Sequence, residues 1–116
     1  MAKKIKIEYI AGFFDGEGCI TFSRVMKYNP MMKRRYPCTT IRMEATNTDF
    51  KIIKDVFGFF NTGHLISIKP RKKGYKPQLR WQTTHRQSYA ILKKIAPYMY
   101  HKEKIKKAKE IFRFYE

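Results

Sequence analysis

The sequence predicts an α+β fold of order αββαββα(α), with a four-stranded antiparallel sheet, helices on one face and an open, concave, polar face on the other. Three observations lead there. Apolar residues recur with a period near 3.6 in some segments and alternate with a period of 2 in others, in the repeated order strand, strand, helix. Gly, Pro and Asn clusters punctuate those segments where turns are needed. The 116 residues are 43% hydrophobic and 16% aromatic, enough for one core, and no linker divides them, so residues 1–116 read as a single domain.

The first helix is expected from about Ile5 to Asp15, ended by Gly16 and Gly18. Cys19 to Met26 then alternates, with Ile20 and Phe22 on one side and Thr21 and Ser23 on the other, which marks a half-buried strand. A polar, proline-containing connection from Tyr28 to Pro37 leads to a strand near Thr39 to Thr46. Its Ile41, Met43 and Ala45 oppose Thr40, Arg42 and Glu44. Asp49 can cap a helix whose apolar stripe is Phe50, Ile53, Val56 and Phe57.

After Asn61-Thr62-Gly63 the pattern repeats. A strand near His64 to Lys69 precedes the basic turn Pro70 to Gly74, and a fourth strand covers about Gln78 to Thr83. Leu79, Trp81 and Thr83 lie on one side of it, Gln78, Arg80 and Gln82 on the other. The third strand does not declare its faces, because Leu65 and Ser67 oppose Ile66 and Ile68. A helix from about Gln87 to Ala96 is stopped by Pro97, and a last helix from about His101 presents Ile105, Ala108, Phe112 and Tyr115. Phe13, Phe14, Phe59, Phe60 and Trp81 read as core.

With 26 Lys and Arg against 9 Asp and Glu, the formal net charge is +17. Self-repulsion of that size makes a polyanion the expected partner, nucleic acid first. A membrane surface is disfavoured, since the cations are spread along the chain and no apolar run is long enough to span a bilayer. Cys19 and Cys38 are distant from each other and His64, His85 and His101 are scattered, which argues against a zinc site or a disulfide framework. Met1 to Ile5 has a charged start but no apolar signal core, so an intracellular, reducing compartment is expected, be it an organelle or a bacterial or phage-infected cytoplasm. No small-molecule substrate is suggested.

The chemistry concentrates in Tyr9 to Ile20, where small and apolar residues run into two carboxylates set among glycines. Burying an unpartnered carboxylate costs several kcal/mol, a cost that a metal ion or a phosphate-bound cation would remove. Gly12 and Gly16 lie one turn apart with Ala11 beside them, and small side chains let two helices approach closely.

Ile10-Ala11-Gly12-Phe13-Phe14-Asp15-Gly16-Glu17-Gly18 resembles the signature nonapeptide of the LAGLIDADG homing endonucleases, in the variant whose second acid is Glu. The likeness continues through Ala45 to Asp49, Asn61 to Leu65, Leu79 to Gln82 and Ala96 to Met99 with Lys102 beyond, so it covers nearly the whole chain. The resemblance implies a homodimer, as for members with one motif, in which the signature helices of two subunits pack through Ala11, Gly12, Asp15 and Gly16. Each helix delivers an acid to the base of a saddle over double-stranded DNA. Two such carboxylates at close range need cations or protons to coexist, and magnesium (or manganese) suits oxygen ligands. By the same resemblance Glu17 is the essential metal ligand, with the Gly16 carbonyl nearby, and Asp15 is a helix-end and interface residue.

Lys102 matches a basic position near the scissile phosphate. Its bland alternative is a solvated basic face shared with Lys104, Lys106, Lys107 and Lys109. Asn47 matches a water-organising position, and a turn or cap role is the alternative. The expected DNA-contacting residues are Thr21, Ser23 and Lys27 on the first strand, Thr40, Arg42 and Glu44 on the second, and Gln78, Arg80 and Gln82 on the fourth, with Lys69 and Arg71 on the phosphate backbone. The implied function is a sequence-specific endonuclease that makes a double-strand break in a long, near-palindromic site. The alternative is a non-cleaving nucleic-acid-binding protein on the same scaffold, an intron maturase or a repressor.

Overall fold

The computed structural model describes residues 5–116; Met1 to Lys4, read above for a targeting segment, lie outside the described residues. The chain runs α1 (Ile7–Glu17), β1 (Gly18–Asn29), β2 (Arg34–Asn47), α2 (Phe50–Phe60), β3 (His64–Ile68), β4 (Gln78–Thr84), α3 (His85–Ile95), a 3-10 turn (Ala96–Tyr98) and α4 (Lys102–Tyr115). The four strands form one antiparallel sheet in the order β1-β2-β4-β3. The predicted α+β architecture is the one observed.

Alternation decides which side of the sheet the helices cover. Ile20, Ile41, Met43, Ala45, Leu79, Trp81 and Thr83 point into the helix layer and are buried against Ile10 and Phe14 of α1, Ile53 and Val56 of α2, Leu92 and Ile95 of α3, and Ala108 and Ile111 of α4. Trp81 stacks on Phe60 at 5.8 Å and donates its indole N–H to the Thr62 carbonyl at 2.8 Å, so its one polar atom is satisfied. Buried Thr83 and Ser88 likewise pair through their hydroxyls at 2.8 Å. Phe59, expected in the core, is 45% exposed at the end of α2, where it meets Phe60 edge-on.

The element boundaries differ where tertiary contacts outweigh local signals. α1 starts and ends two residues later than predicted and passes through Gly16, whose helix penalty of about 1 kcal/mol the packed face of the helix absorbs. Residues 28–37 are not a connection. They are the end of a long hairpin in which Met26 pairs with Pro37 and Asn29 with Arg34. Pro37 is tolerated because β2 has a second neighbour only from Arg42 onward, leaving an open edge at the proline. The turn is organised by Asn29, whose Oδ1 accepts from the Met31 and Met32 amides at 2.9 and 3.3 Å.

Candidate nucleic-acid interface and active site

The end of α1 is fixed by one contact that a side chain could not make. A Cβ on Gly18 would sit 2.2 Å from the ring of buried Phe14, so only glycine lets the chain leave the helix there and enter β1. Glu17, the last helical residue, is thereby left exposed and forms no hydrogen bond or ion pair among the described residues. It stands at the end of the helix that carries the partial negative charge, beyond the Phe14 carbonyl, which accepts from the Gly18 amide. That charge favours a cation.

α4 is tied to this point by a reciprocal clasp. The Asp15 carboxylate accepts from the Tyr100 amide at 2.8 Å and the His101 amide at 3.1 Å, just ahead of α4. In return Lys104 Nζ donates to the Phe14 carbonyl at 3.2 Å and to that of Asp15. The cation that caps α1 thus comes from about 90 residues away in sequence. No local signal distinguishes Lys104 from its lysine-rich neighbours, and the sequence reading passed over it. Lys102, the residue singled out there, is exposed and shares a groove with Lys106, Lys109 and Arg113.

The sheet register collects the other expected residues. Thr21 faces Arg42, Ser23 faces Thr40 and Lys27 faces Tyr36 across β1 and β2. Gln82 faces Glu44 and Arg80 faces Thr46 across β2 and β4. All point away from the helix layer, and the same face carries Cys19, Val25, Thr46 and Thr84, which sequence reasoning had not picked out. Register also decides the third strand. Leu65 and Ser67 pair with core-facing Trp81 and Leu79, so His64, Ile66 and Ile68 lie on the open face beside Gln82, Arg80 and Gln78. Lys69, Arg71, Gln78 and Arg80 line one open groove beside the basic turn.

Glu44 is the one acid in the four strands, and Arg80 answers it. Arg80 Nε lies 3.6 Å from the Glu44 carboxylate and donates to Thr46 Oγ1 at 3.3 Å. Arg42 Nε is buried with no partner, leaving it hydrogen-bonding capacity toward a ligand on that face.

Two expected placements change. Ala11, assigned to a subunit interface, is fully buried in the protomer's own core and cannot reach a partner; Gly12 and Gly16, with no atom within 4 Å of a built Cβ, are the open positions on that helix. Asn47 pairs with core-facing Leu79, which sets it on the helix-layer side of β2, and its Oδ1 accepts from the Asp49 amide at 2.9 Å. That is a turn role, passing the chain to Asp49, whose own carboxylate caps α2 through the Lys51 amide at 3.0 Å.

Among the described residues no three His, Cys, Asp or Glu side chains are grouped to hold a metal ion. One protomer offers a single carboxylate, Glu17, with backbone oxygens beside it. This all-oxygen set fits a hard divalent cation only if further ligands come from outside the protomer. No helix among the described residues is long and apolar enough to cross a membrane.

Solved structures share this architecture. The chain is similar to the homing endonuclease I-CvuI in complex with the I-CreI target in the presence of Mg, with the DNA not cleaved (TM-score 0.68, 21% identity, 92% of this chain and 63% of that one). It is also similar to the group I intron-encoded homing endonuclease I-CeuI complexed with DNA (TM-score 0.66, 19% identity, 97% and 56%) and to the homing endonuclease I-TnaI (TM-score 0.61, 20% identity, 96% and 71%). At these identities the likeness is one of fold, and the chain spans less than two thirds of the length of I-CvuI. No curated protein matches the sequence. The model of the LAGLIDADG endonuclease family matches residues 10–115, nearly the whole chain, and with the signature acid at the foot of α1 and the open sheet beside it, this chain belongs to that family.

Proposed function

We propose that this protein is a sequence-specific homing endonuclease that cuts both strands of a long, near-palindromic duplex as a homodimer, using magnesium or manganese. The observation that carries the reading is the exposed, unpartnered Glu17 carboxylate at the negative end of α1, next to a sheet face lined with Arg, Thr, Ser and Gln. Gly12 and Gly16 leave the outer side of α1 free for a second copy. Packing there sets two Glu17 carboxylates close together over the duplex, a placement that only cations or protons relieve.

A divalent cation held by Glu17 and the Gly16 carbonyl supplies Lewis-acid activation of water and charge stabilisation at the phosphate. The chain's own residues do the rest. Thr21, Ser23, Thr40, Arg42, Gln78, Arg80 and Gln82 contact base edges or phosphates, and Glu44 accepts from a base amine when Arg80 releases it. Lys69 and Arg71 hold the backbone. Lys104 fixes the end of α1, and Lys102, at the start of α4, is the cation available to balance phosphate charge. The free thiols Cys19 and Cys38 suit a reducing intracellular compartment.

Selection of cleaved sites from randomised duplex DNA in magnesium tests this reading. We expect a palindromic consensus cut on both strands, with cutting lost in EDTA and in Glu17→Gln while duplex binding persists. Binding without cutting under all metal conditions would instead mark a non-cleaving member, a maturase or repressor.

A further inference from the structure

The open face changes chemistry along its length. Near α1 it is built from hydrogen-bonding side chains: Thr21, Ser23, Thr40, Arg42 and Glu44. From residue 25 outward the same face carries Val25 and Tyr36, 47% and 42% exposed, and the turn beyond presents Met31 and Met32 at 94% and 61%. This is the free end of the β1–β2 hairpin, where every residue from Arg24 to Pro37 except Asn29 is exposed. A two-stranded ribbon in water gains little from leaving such side chains uncovered. The Asn29 side chain nevertheless holds the turn in one conformation.

Charge selects the occupant. No acid occurs between Glu17 and Glu44, whereas Arg24, Lys27, Lys33, Arg34, Arg35 and Arg42 all fall in that interval. The surface therefore suits a polyanion that also offers apolar groups. In the major groove of DNA the one apolar group is the C5-methyl of thymine. Reach is also fixed. From Gly18 to Asn29 is 29 − 18 = 11 residue steps, and at about 3.3 Å per step this spans roughly 36 Å, about ten base pairs.

We propose that Val25, Met31, Met32 and Tyr36 read thymine methyl groups roughly seven to ten base pairs from the cut, while Thr21, Ser23, Thr40 and Arg42 read inner positions by hydrogen bonds. The arm's cations hold it to the phosphates on either side. The inference rests on the duplex-binding part of the reading above and is independent of cleavage.

The test uses the full chain and duplexes selected for binding. Thymine should be enriched at the outer positions of each half-site, and replacing it with deoxyuridine, which removes only the methyl, should weaken wild-type binding about fourfold per methyl contacted. Met31→Gln with Met32→Gln, and separately Val25→Ser, should each lose the preference for thymine over deoxyuridine at the position that side chain contacts and keep it at the others. These side chains are exposed, so the variants should melt with the wild type. The proposal is overturned if deoxyuridine is as good as thymine for the wild type, or if the methionine variant loses the same factor on both duplexes, which would mark a wedge between base steps. It is also overturned if no duplex is bound selectively. A protein that passes but does not cut refutes only the nuclease reading.

Discussion

Gly18 shows how one missing methyl group sets the geometry of the candidate site. Its absent Cβ is the space occupied by the Phe14 ring, which is 1% exposed and part of the core. Gly18→Ala must displace Phe14 or the start of β1, and an overpacked core costs about 1–3 kcal/mol. We expect a lower urea midpoint and, because Glu17 precedes the moved residue, a loss of cleavage larger than the loss of duplex affinity. Gly16 differs, since nothing approaches its built Cβ. The two glycines look alike in the sequence and are distinguished only by what faces them.

At the level of elements, the clasp between α1 and α4 joins residues that local patterns could not connect. Asp15 caps the approach to α4, and Lys104 caps the end of α1. Together they fasten the foot of α1, where Glu17 sits, to the start of α4, where Lys102 sits. Asp15→Ala and Lys104→Met should each slow single-turnover cleavage by about tenfold or more, since misplacing reacting groups by an ångström is costly, with duplex affinity nearly unchanged. Lys104→Arg should recover part of the rate, and equal losses of rate and affinity would contradict a positioning role. Between α3 and α4, Glu116 accepts from Lys93 at 2.8 Å and Tyr89 at 2.6 Å. The hydrogen bond from Lys93, then that from Tyr89, holds the Glu116 carboxyl below its ordinary range. Glu116 in turn raises Lys93 and Tyr89, chiefly through its hydrogen bonds to them. The carboxylate's contribution is therefore complete above its ordinary pKa of 4.5 and lost as pH falls through the depressed value. Those of Lys93 and Tyr89 are present below their ordinary values of 10.5 and 10.0 and lost as pH rises. Urea midpoints of the wild type and Glu116→Gln should accordingly differ at pH 7 and converge in acid.

For the whole molecule, the outer side of α1 is the consequential surface. Gly12 is exposed, and a Cβ built there has no atom within 4 Å in the protomer beyond its own helix backbone and chain neighbours. Gly12→Leu should leave the protomer at least as stable, given the poor helix propensity of glycine. In the proposed homodimer the added side chain forces the two α1 helices apart, giving a monomer by sedimentation velocity and no double-strand cleavage. A stable dimer in that variant would move the subunit contact elsewhere. The net charge of +17 makes association strongly salt-dependent, so these comparisons require one ionic strength.

Period and punctuation in the sequence determined the element order, the core faces of β1, β2 and β4 and the cap at Asp49, because each depends on residues a few positions apart; the signature acid was legible only through the resemblance to the family. The faces of β3, the length of the hairpin arm, the burial of Ala11, the turn role of Asn47 and the capping of α1 by Lys104 were decided by the tertiary structure. Each depends on which distant segment lies alongside: Trp81 and Leu79 beside β3, β1 along the far end of β2, and α4 against the foot of α1. Spacing along a chain fixes which side chains share a face, and only packing fixes what that face meets.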